Sequence, residues 1–443
     1  MQYFIKQGIT LALAGLGFLS VQAQLPAPTV TELAPLPMAI SNNAVTGNGS
    51  YVYSFGGIDS TKKYSGITRK AFRYDIQNDS WDTLPPLPDT LGKIASAASF
   101  INGKIYITGG YHVFANGSEK SSNKVHIFDV ATQQYLPDGA PIPVPIDDHV
   151  QVTYRDSLLY LITGWSNTSN SNAVQIYNPA LNQWSTGTAV PANNNYRSFG
   201  ASGVQHQGKI YYFGGSTSGF RFNIQNNLRI GTINLADPTQ ISWTDTVIDP
   251  AVVGYRMAAA LNARGEPMWI GGSNQNYNFD GLAFSNGRGV PPNNRILTLS
   301  NVQWQAQTTR DTTALPMDLR GIAPEPHLGY RQGTYYLAGG MEASQKVSRK
   351  TLRLQFSRIS LSENETAAFK LFPNPTSQNL QWQCSCSQKL KITLYSLAGV
   401  KVMEQAGLSA NGRLSIAHLP QGVYLLQVEG AHHTSHHKVQ VRR

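Results

Sequence analysis

Short apolar runs recur along the chain, and each of them ends in a glycine. The first is Tyr51-Val52-Tyr53-Ser54-Phe55, and a similar run precedes each later glycine site. Apolar and polar residues alternate with a period of two around these runs, which is typical of β-strands. The sites follow one another at intervals of 50 to 68 residues, and a repeat of this length predicts an array of equivalent structural units. The first glycines of the sites are Gly56, Gly109, Gly164, Gly214, Gly271 and Gly339.

Each unit contains the signals of four strands. In the first unit a polar loop follows the glycine pair, and the apolar strand Phe72-Arg73-Tyr74-Asp75 comes next. Turn-forming residues, the aromatic residue Trp81 and a proline-rich step follow, and a strand of small residues (95–100) leads to the next glycine pair. Four short strands per unit at this period indicate the blades of a β-propeller. The small residues place the last of these strands innermost, because blades crowd one another near the axis.

The glycine pair, the dipeptide Tyr74-Asp75 and Trp81, with their counterparts in later units, resemble the kelch repeat. The resemblance covers about residues 29–358. Three features depart from the pattern, and none of them removes a blade. They are Gly164-Trp165 in place of a glycine pair, Tyr135 in place of a tryptophan, and the long insertion at 274–294.

The two ends of the repeat array are incomplete in complementary ways. The last unit lacks an outer strand, and residues 29–37 look like an outer strand with no unit before it. We expect the two to pair, because this would close the ring and hide two strand edges. The predicted fold class is therefore all-β, a six-bladed kelch β-propeller followed by a small Ig-like β-sandwich.

The C-terminal segment follows a different pattern. It opens with Phe372-Pro373-Asn374-Pro375, and strand-like runs occur at 390–395, 400–403 and 422–428. This segment resembles the C-terminal sorting domain of type IX secretion substrates. The resemblance implies a Gram-negative bacterium, passage through the periplasm and contact with the type IX secretion machinery. The predicted divisions are a signal peptide at 1–23, the propeller at 24–357, a linker at 358–368 and the sorting domain at 369–443.

The N-terminus supports export. Lys6 precedes an apolar stretch at 9–21, and small residues stand before Gln24, as at a signal-peptide cleavage site. No other segment approaches 18 apolar residues, so we expect no transmembrane segment and a secreted or cell-surface protein. Cys384 and Cys386 are the only cysteines. A spacing of two along a strand is poor geometry for a mutual disulfide, so we expect free thiols.

Charge and composition limit the classes of partner that we expect for this protein. The net charge of +10 is spread along the chain without a basic run, so we expect no nucleic-acid partner. We also expect a monomer that needs no cofactor and no metal. The triplet Asp147-Asp148-His149 could hold a metal ion, but two carboxylates in a turn are more often simply solvated.

Ligand-binding residues are predicted on one face of the propeller. The loops before the inner strands and after the glycine pairs share that face and surround the axis. Arginines that converge beside aromatic residues suit an anionic or sugar-like ligand, because arginine grips a carboxylate through two hydrogen bonds. The alternative that these arginines bond backbone carbonyls of neighbouring loops stays open. The predicted ligand-binding residues are Lys93, Arg197, Arg256, Arg320, Tyr196, Tyr255 and Trp165.

Two classes of function follow from this face. The first is a recognition module that binds a glycan or a protein. The second is an enzyme, because exported kelch propellers include sialic acid mutarotases, which this chain resembles more weakly. In that interpretation Arg197, Arg256 and Arg320 would clamp a sugar carboxylate, and Glu342 or His149 would transfer protons as the catalytic residue. No catalytic sequence motif supports this assignment, so whether the protein is an enzyme is left open.

Overall fold

The computed structural model describes residues 27–310, 313–329, 333–356, 370–384, 389–396, 401–429 and 434–442. The chain divides into two compact units, Met1–Arg358 and Ile359–Arg443. The predicted signal peptide (1–23) and linker (358–368) lie outside the described residues. Among the residues described, no helix is long and apolar enough to cross a membrane.

The first unit is built from antiparallel sheets in which successive strands are neighbours. Six such sheets can be traced in the described residues. In most of them the order from one edge to the other follows the chain, as expected for propeller blades. The chain begins with β1 (Thr29–Leu33), which belongs to the last sheet. The strands of the first five repeats are β2 (Ala44–Gly47), β3 (Tyr51–Phe55), β4 (Ala71–Asp75) and β5 (Ser80–Leu84); β6 (Ile94–Ile101), β7 (Lys104–Val113), β8 (Glu119–Ser121), β9 (Val125–Asp129) and β10 (Gln134–Leu136); β11 (Val150–Tyr154), β12 (Leu158–Ile162), β13 (Trp165–Ser166), β14 (Ser169–Asn170), β15 (Val174–Asn178) and β16 (Gln183–Thr186); β17 (Ser202–His206), β18 (Lys209–Phe213), β19 (Leu228–Ile233) and β20 (Ile241–Thr246); and β21 (Ala258–Leu261), β22 (Pro267–Ile270), β23 (Ile296–Ser300) and β24 (Gln303–Gln307).

The last sheet of this unit joins the two ends of the repeat array. A short helix, α1 (Pro326–Gly329), precedes β25 (Thr334–Ala338), β26 (Met341–Glu342), β27 (Lys346–Val347) and β28 (Thr351–Gln355). Strand β1 pairs antiparallel with β28 in the register Thr29↔Gln355 to Leu33↔Thr351. A bridge between Ala323 and Tyr336 places the preceding segment beside β25, in the innermost position. Residues from both ends of the unit therefore share one sheet.

The core of the first unit lies between neighbouring sheets. Outer-strand tryptophans tie several of the sheets to the connection that precedes them. Trp81 packs on Tyr74 with ring centroids 5.3 Å apart, and its indole N–H donates to the carbonyl of Ala34 at 3.0 Å. Trp184 donates in the same way to Ala140 at 2.8 Å. The repeated tryptophan thus fixes the spacing of adjacent sheets.

Around the axis, one residue near the start of each inner strand has a left-handed backbone. A closed chain of hydrogen bonds links these positions, and we call the set the axial ring. Asp148 N donates to Ala95 O at 3.1 Å, and Gly200 N donates to Asp148 O at 2.9 Å. The series continues through Arg256 to Leu319 and Asp318 and returns to Ala95 through the Asn42 side chain. The ring residues, with φ between 46° and 69°, are Asn42, Ala95, Asp148, Gly200, Arg256 and Asp318.

The second unit contains two sheets around one apolar core. One sheet has the order β29-β30-β33 and the other β32-β31-β34-β35. Buried side chains of both sheets, including Leu380, Leu394 and Leu426, form the core. The strands are β29 (Lys370–Phe372), β30 (Asn379–Gln383), β31 (Leu390–Ser396), β32 (Lys401–Leu408), β33 (Asn411–Ser415), β34 (Gly422–Glu429) and β35 (Thr434–Val441).

The expectation of free thiols is wrong for Cys384, which is disulfide-bonded. The expectation assumed that both cysteines lie on one strand. Strand β30 ends at Gln383, so Cys384 stands outside the regular alternation that made the geometry unfavourable. Cys386, the only other cysteine of the sequence, lies outside the described residues.

Candidate functional site

An ion network occupies the axis where the predicted arginines converge. Arg256 donates through Nη2 and Nε to the two carboxylate oxygens of Asp148 at 2.6 and 3.1 Å. Its Nη1 donates to Asp318 Oδ1 at 2.9 Å. The guanidinium also lies over the rings of Tyr255 and Tyr277, at 5.2 and 5.5 Å from their centroids. All five residues are buried, so the donors of Arg256 are occupied within the protein.

Arg320 joins the same network. Its Nη1 lies 3.3 Å from Asp148 Oδ1, and its Nη2 donates to the backbone carbonyl of His149 at 3.0 Å. Burial acts to raise the pKa of Asp148, but the charges of Arg256 and Arg320 outweigh burial and hold that pKa below its usual value. For Asp318 burial is the larger effect and raises the pKa. Arg320 thus bonds a neighbouring backbone carbonyl, the alternative that the sequence left open.

A small cavity lies beside this network, between the inner strands. Its volume is about 60 Å³, and the polar residues His149, Gln151, Arg320 and Glu325 contribute to its lining. A cavity needs about 10–15 Å³ of such volume to hold one water, so this one has room for a few waters. Pockets that enclose small-molecule ligands measure about 300–1,000 Å³. The cavity is therefore too small for a sugar.

His149 is neutral in this setting. Burial lowers the pKa of its imidazole to about 3, and the charge of Arg320 acts in the same direction. Its Nε2 lies 3.1 Å from Thr108 Oγ1, which itself donates to Gln151. The hydroxyl has a single proton, so His149 Nε2 carries the hydrogen of the bond to Thr108.

The insertion at 274–294, which we call the cover loop, closes the axis on the loop face. Tyr277 is fully buried beside Arg256. Phe279 packs against a cluster from the first two sheets that includes Ile94 and Tyr111. Phe284 packs against Phe199, which lies just before β17 in the fourth sheet. Because the cover loop reaches from one side of the face to the other, it separates the ion network from solvent.

The structure brings together some of the predicted site residues and separates others. Arg256, Arg320, His149 and Tyr255 meet at the axis. Lys93 lies elsewhere, buried with Nζ 3.5 Å from Asp89 Oδ2, and burial lowers its pKa to about 8.

The remaining predicted residues do not join the axial network. Tyr196 is buried between sheets, and its carbonyl accepts a hydrogen bond from the Tyr212 hydroxyl at 2.9 Å. Arg197 beside it is half-buried. Glu342 accepts a bond from Ser348 Oγ at 2.7 Å and lies 3.5 Å from Lys350 Nζ. It does not line the axial cavity with His149.

Sequence reasoning missed the two carboxylates that hold the arginines. The sequence pattern suggests only a metal-ligand role for Asp148 and no role for Asp318. Within the described part of the chain, no group of three or more His, Cys, Asp or Glu residues could hold a metal ion. A usable signal existed, because asparagine, aspartate and glycine tolerate a left-handed backbone and one of them recurs before most inner strands. These residues are Asn42, Asp148, Gly200 and Asp318.

A loop on the same face of the propeller is more exposed than the axial ion network. Residues 216–224, which we call the aromatic loop, connect β18 to β19. Phe220 at its tip is 87% exposed, and the guanidinium of Arg221 lies 5.0 Å from its ring centroid. Arg221 and Phe222 both have left-handed backbone, with φ of 67° and 48°. Such backbone is uncommon outside glycine and clusters at functional positions.

The base of the aromatic loop is anchored in aromatic side chains. Phe222 has ring-centroid distances of 5.6 Å to Trp165, 5.5 Å to Phe199 and 4.8 Å to Phe284. Trp165, one of the predicted ligand-binding residues, is thus half-buried beneath this loop. The anchored Phe222 leaves Phe220 and Arg221 directed away from the cluster, toward solvent.

Hydrogen bonds from several connections brace the same loop. Thr217 N donates to Asn223 O at 2.9 Å and closes the loop. Asn170 Nδ2 donates to Ser216 O at 2.9 Å, and Asn276 Nδ2 of the cover loop donates to Ser216 Oγ at 3.1 Å. The loop is therefore held in place before any ligand arrives, which lowers the entropy cost of binding.

The similarities to known proteins agree with this architecture. A family model described as the KLHDC2/KLHL20/DRC7 Kelch-repeats domain matches residues 42–272, more than half of the chain. A second model, described as the secretion system C-terminal sorting domain, matches residues 370–442. A solved structure titled "Structure of YjhT" superposes with a TM-score of 0.58 at 14% identity and covers 74% of this chain and 98% of that one. At this identity the superposition supports the fold alone.

Curated relatives match shorter stretches. The Kelch-like protein terF of Aspergillus terreus is 30% identical over 165 residues, which cover 36% of this chain and 35% of that protein. Beta-scruin of Limulus polyphemus is 29% identical over 155 residues, which cover 33% of this chain and 16% of that protein. The match thus spans about a third or less of either relative. From the family models and the repeated sheets together, the chain belongs to the kelch-repeat proteins and carries a secretion-system C-terminal sorting domain.

Proposed function

We propose that the protein is an exported recognition module that binds a glycan or protein ligand through the loop face of its propeller. The observation that carries the proposal is Phe220, a phenylalanine almost wholly in water on a loop that is braced at its base. Burying such a side chain is worth about 1.5–3 kcal/mol. Aromatic residues and arginine also dominate the binding energy of protein interfaces. Phe220 and Arg221 supply both at one exposed tip.

The alternative of a sugar-acid mutarotase has less geometric support. Arg256 and Arg320 are already bonded to Asp148, Asp318 and a backbone carbonyl, so a sugar carboxylate would have to displace these partners. The adjoining cavity of about 60 Å³ does not admit a sugar ring. His149, one predicted proton carrier, is buried, and Glu342, the other, does not line the same cavity. We therefore place ligand binding on the outer surface of the loop face.

The export function follows from the second unit. A sorting domain of this family implies transport to the cell surface or the medium by a dedicated secretion system. We propose that it is the type IX machinery that engages this unit.

The test uses the purified full chain, labelled and applied to arrays of polysaccharides and of extracellular proteins. We expect Phe220→Ala to weaken binding to the array ligand at least tenfold. The matched control is Leu235→Ala, because Leu235 is 65% exposed on the β19–β20 turn at the opposite end of the same sheet. Binding that survives Phe220→Ala, or that Leu235→Ala weakens equally, would overturn the proposal.

A further inference from the structure

The aromatic loop and the cover loop form one continuous surface. Phe222 and Phe284 join them with ring centroids 4.8 Å apart. Asn276 of the cover loop reaches the carbonyl of Arg221 at 3.5 Å, in addition to its bond to Ser216. Each loop is thus part of the other's support, so their exposed side chains stand on two loops that are in direct contact. We call the exposed residues Phe220, Arg221, Leu282 and Arg288 the two-loop patch.

The two-loop patch combines apolar and cationic side chains. Leu282 is 38% exposed, and Phe220 more than twice as much. Arg221 and Arg288 are exposed, and neither forms an ion pair with any described residue. Asp280, the only acidic residue of the two loops, accepts a hydrogen bond from the Leu282 amide at 3.0 Å. The patch therefore has two arginines available to a ligand, while the Asp280 carboxylate is hydrogen-bonded to the backbone of its own loop.

The neighbouring hairpin β26–β27 does not cancel this charge. Gln345 Nε2 donates to Val290 O at 2.9 Å and connects the hairpin to the cover loop. Its two charged residues, Glu342 and Lys346, lie 3.9 Å apart and offset each other. The two loops thus keep an excess of positive charge, because Arg221 and Arg288 outnumber the single carboxylate of Asp280.

We propose that the two-loop patch binds an acidic protein segment, one that presents an apolar side chain flanked by carboxylates. The inference rests on the proposed function and specifies its ligand. An apolar side chain would cover Phe220 and Leu282, while carboxylates would pair with the arginine forks. A protein fits better than a glycan because Leu282 is aliphatic and partly exposed, and an apolar side chain of a protein covers such a residue more completely than a hydroxylated sugar does.

The experiment is a selection of phage-displayed random peptides on the immobilised full chain. The enriched peptides should contain Asp or Glu within a few positions of an aromatic or aliphatic residue. The Kd of a selected peptide should rise at least tenfold in the double variant Arg221→Gln/Arg288→Gln, and it should rise with salt in the parent. The matched control is Arg155→Gln/Lys209→Gln, two exposed cations at the opposite end of the blades. Melting temperatures equal to the parent's show that each variant is folded.

The outcomes separate the two proposals. Neutral or basic peptides whose binding depends on Phe220 would overturn the acidic ligand and leave the recognition surface standing. Enrichment of no peptide, together with binding of the acidic polysaccharide alginate that needs Arg221 and Arg288, would replace the protein ligand by a glycan. An equal loss of peptide affinity in the control variant would mean that the net charge of the protein causes the effect, and this would overturn the inference.

Discussion

Arg256 and Asp148 form a two-pronged ion pair at the axis of the propeller, although 108 residues separate them in sequence. They precede the inner strands of the fifth and third sheets, so the pair bridges two sheets that are not neighbours in the chain. A side chain that looked like a ligand clamp in the sequence is therefore an internal connection.

The first prediction concerns this pair. Asp148→Ala leaves Arg256 buried with Asp318 as its remaining carboxylate, and we expect a loss of about 3–5 kcal/mol in the free energy of unfolding. Urea denaturation of the full chain, followed by tryptophan fluorescence, measures the change. The control is Asp82→Ala, because Asp82 is 53% exposed in its pair with Arg73 and such pairs contribute about 0–1 kcal/mol. Equal effects of the two substitutions would contradict a structural role for the network.

The second prediction is a pH dependence that His149 causes. Its pKa is about 3 in the folded protein and near 6.5 in the unfolded chain, because burial disfavours the imidazolium. The unfolded state then binds the extra proton, so the contribution to stability is complete above pH 6.5 and is lost as the pH falls toward 3. The slope approaches about 1.4 kcal/mol per pH unit inside this window. In His149→Gln the difference from the parent should change with this slope between pH 6 and 4, and a constant difference would contradict the assignment.

The third prediction compares two glycines with similar backbones and different surroundings. Gly214 has φ of 71°, and a Cβ there would stand 2.1 Å from the carbonyl oxygen of Gly254. Gly103 has φ of 79° and no atom within 4 Å of an added Cβ. Both substitutions to alanine impose the strain of a left-handed backbone, about 1 kcal/mol. Thermal unfolding should show a clearly larger loss for Gly214→Ala, and similar losses would mean that close packing at the glycine pairs contributes little.

The fourth prediction tests the bracing of the aromatic loop. Asn276→Ala removes the bonds to Ser216 and Arg221 without touching an exposed side chain of the loop. Hydrogen exchange of the amides in 216–224 should become faster, and binding to the array ligand should weaken several-fold. Asn226→Ala serves as the control, because Asn226 bonds Pro250 outside the loop. Unchanged exchange in Asn276→Ala would show that the aromatic contacts of Phe222 hold the loop alone.

The sequence by itself determined the repeat, the strands and their order. Alternation with a period of two and glycines at regular intervals depend only on local chemistry, and so do the outer tryptophans such as Trp81 and the break in pattern before Phe372. The position of Arg256 and Arg320 near the axis could also be predicted from the sequence, because in every unit the chain enters the inner strand there. These features are local because a strand's faces and a turn's backbone are set by neighbours in the chain.

Only the tertiary structure decided what the axial residues do. Whether Arg256 is free to bind a ligand depends on Asp148 and Asp318, which belong to other sheets, and on the cover loop that excludes water from all three. The exposure of Phe220 depends in the same way on Phe222 and Phe284 filling the space beneath it. Burial and pairing are properties of residues that meet in space. The sequence therefore predicted a ligand site at the axis, whereas the tertiary structure favours the exposed loops.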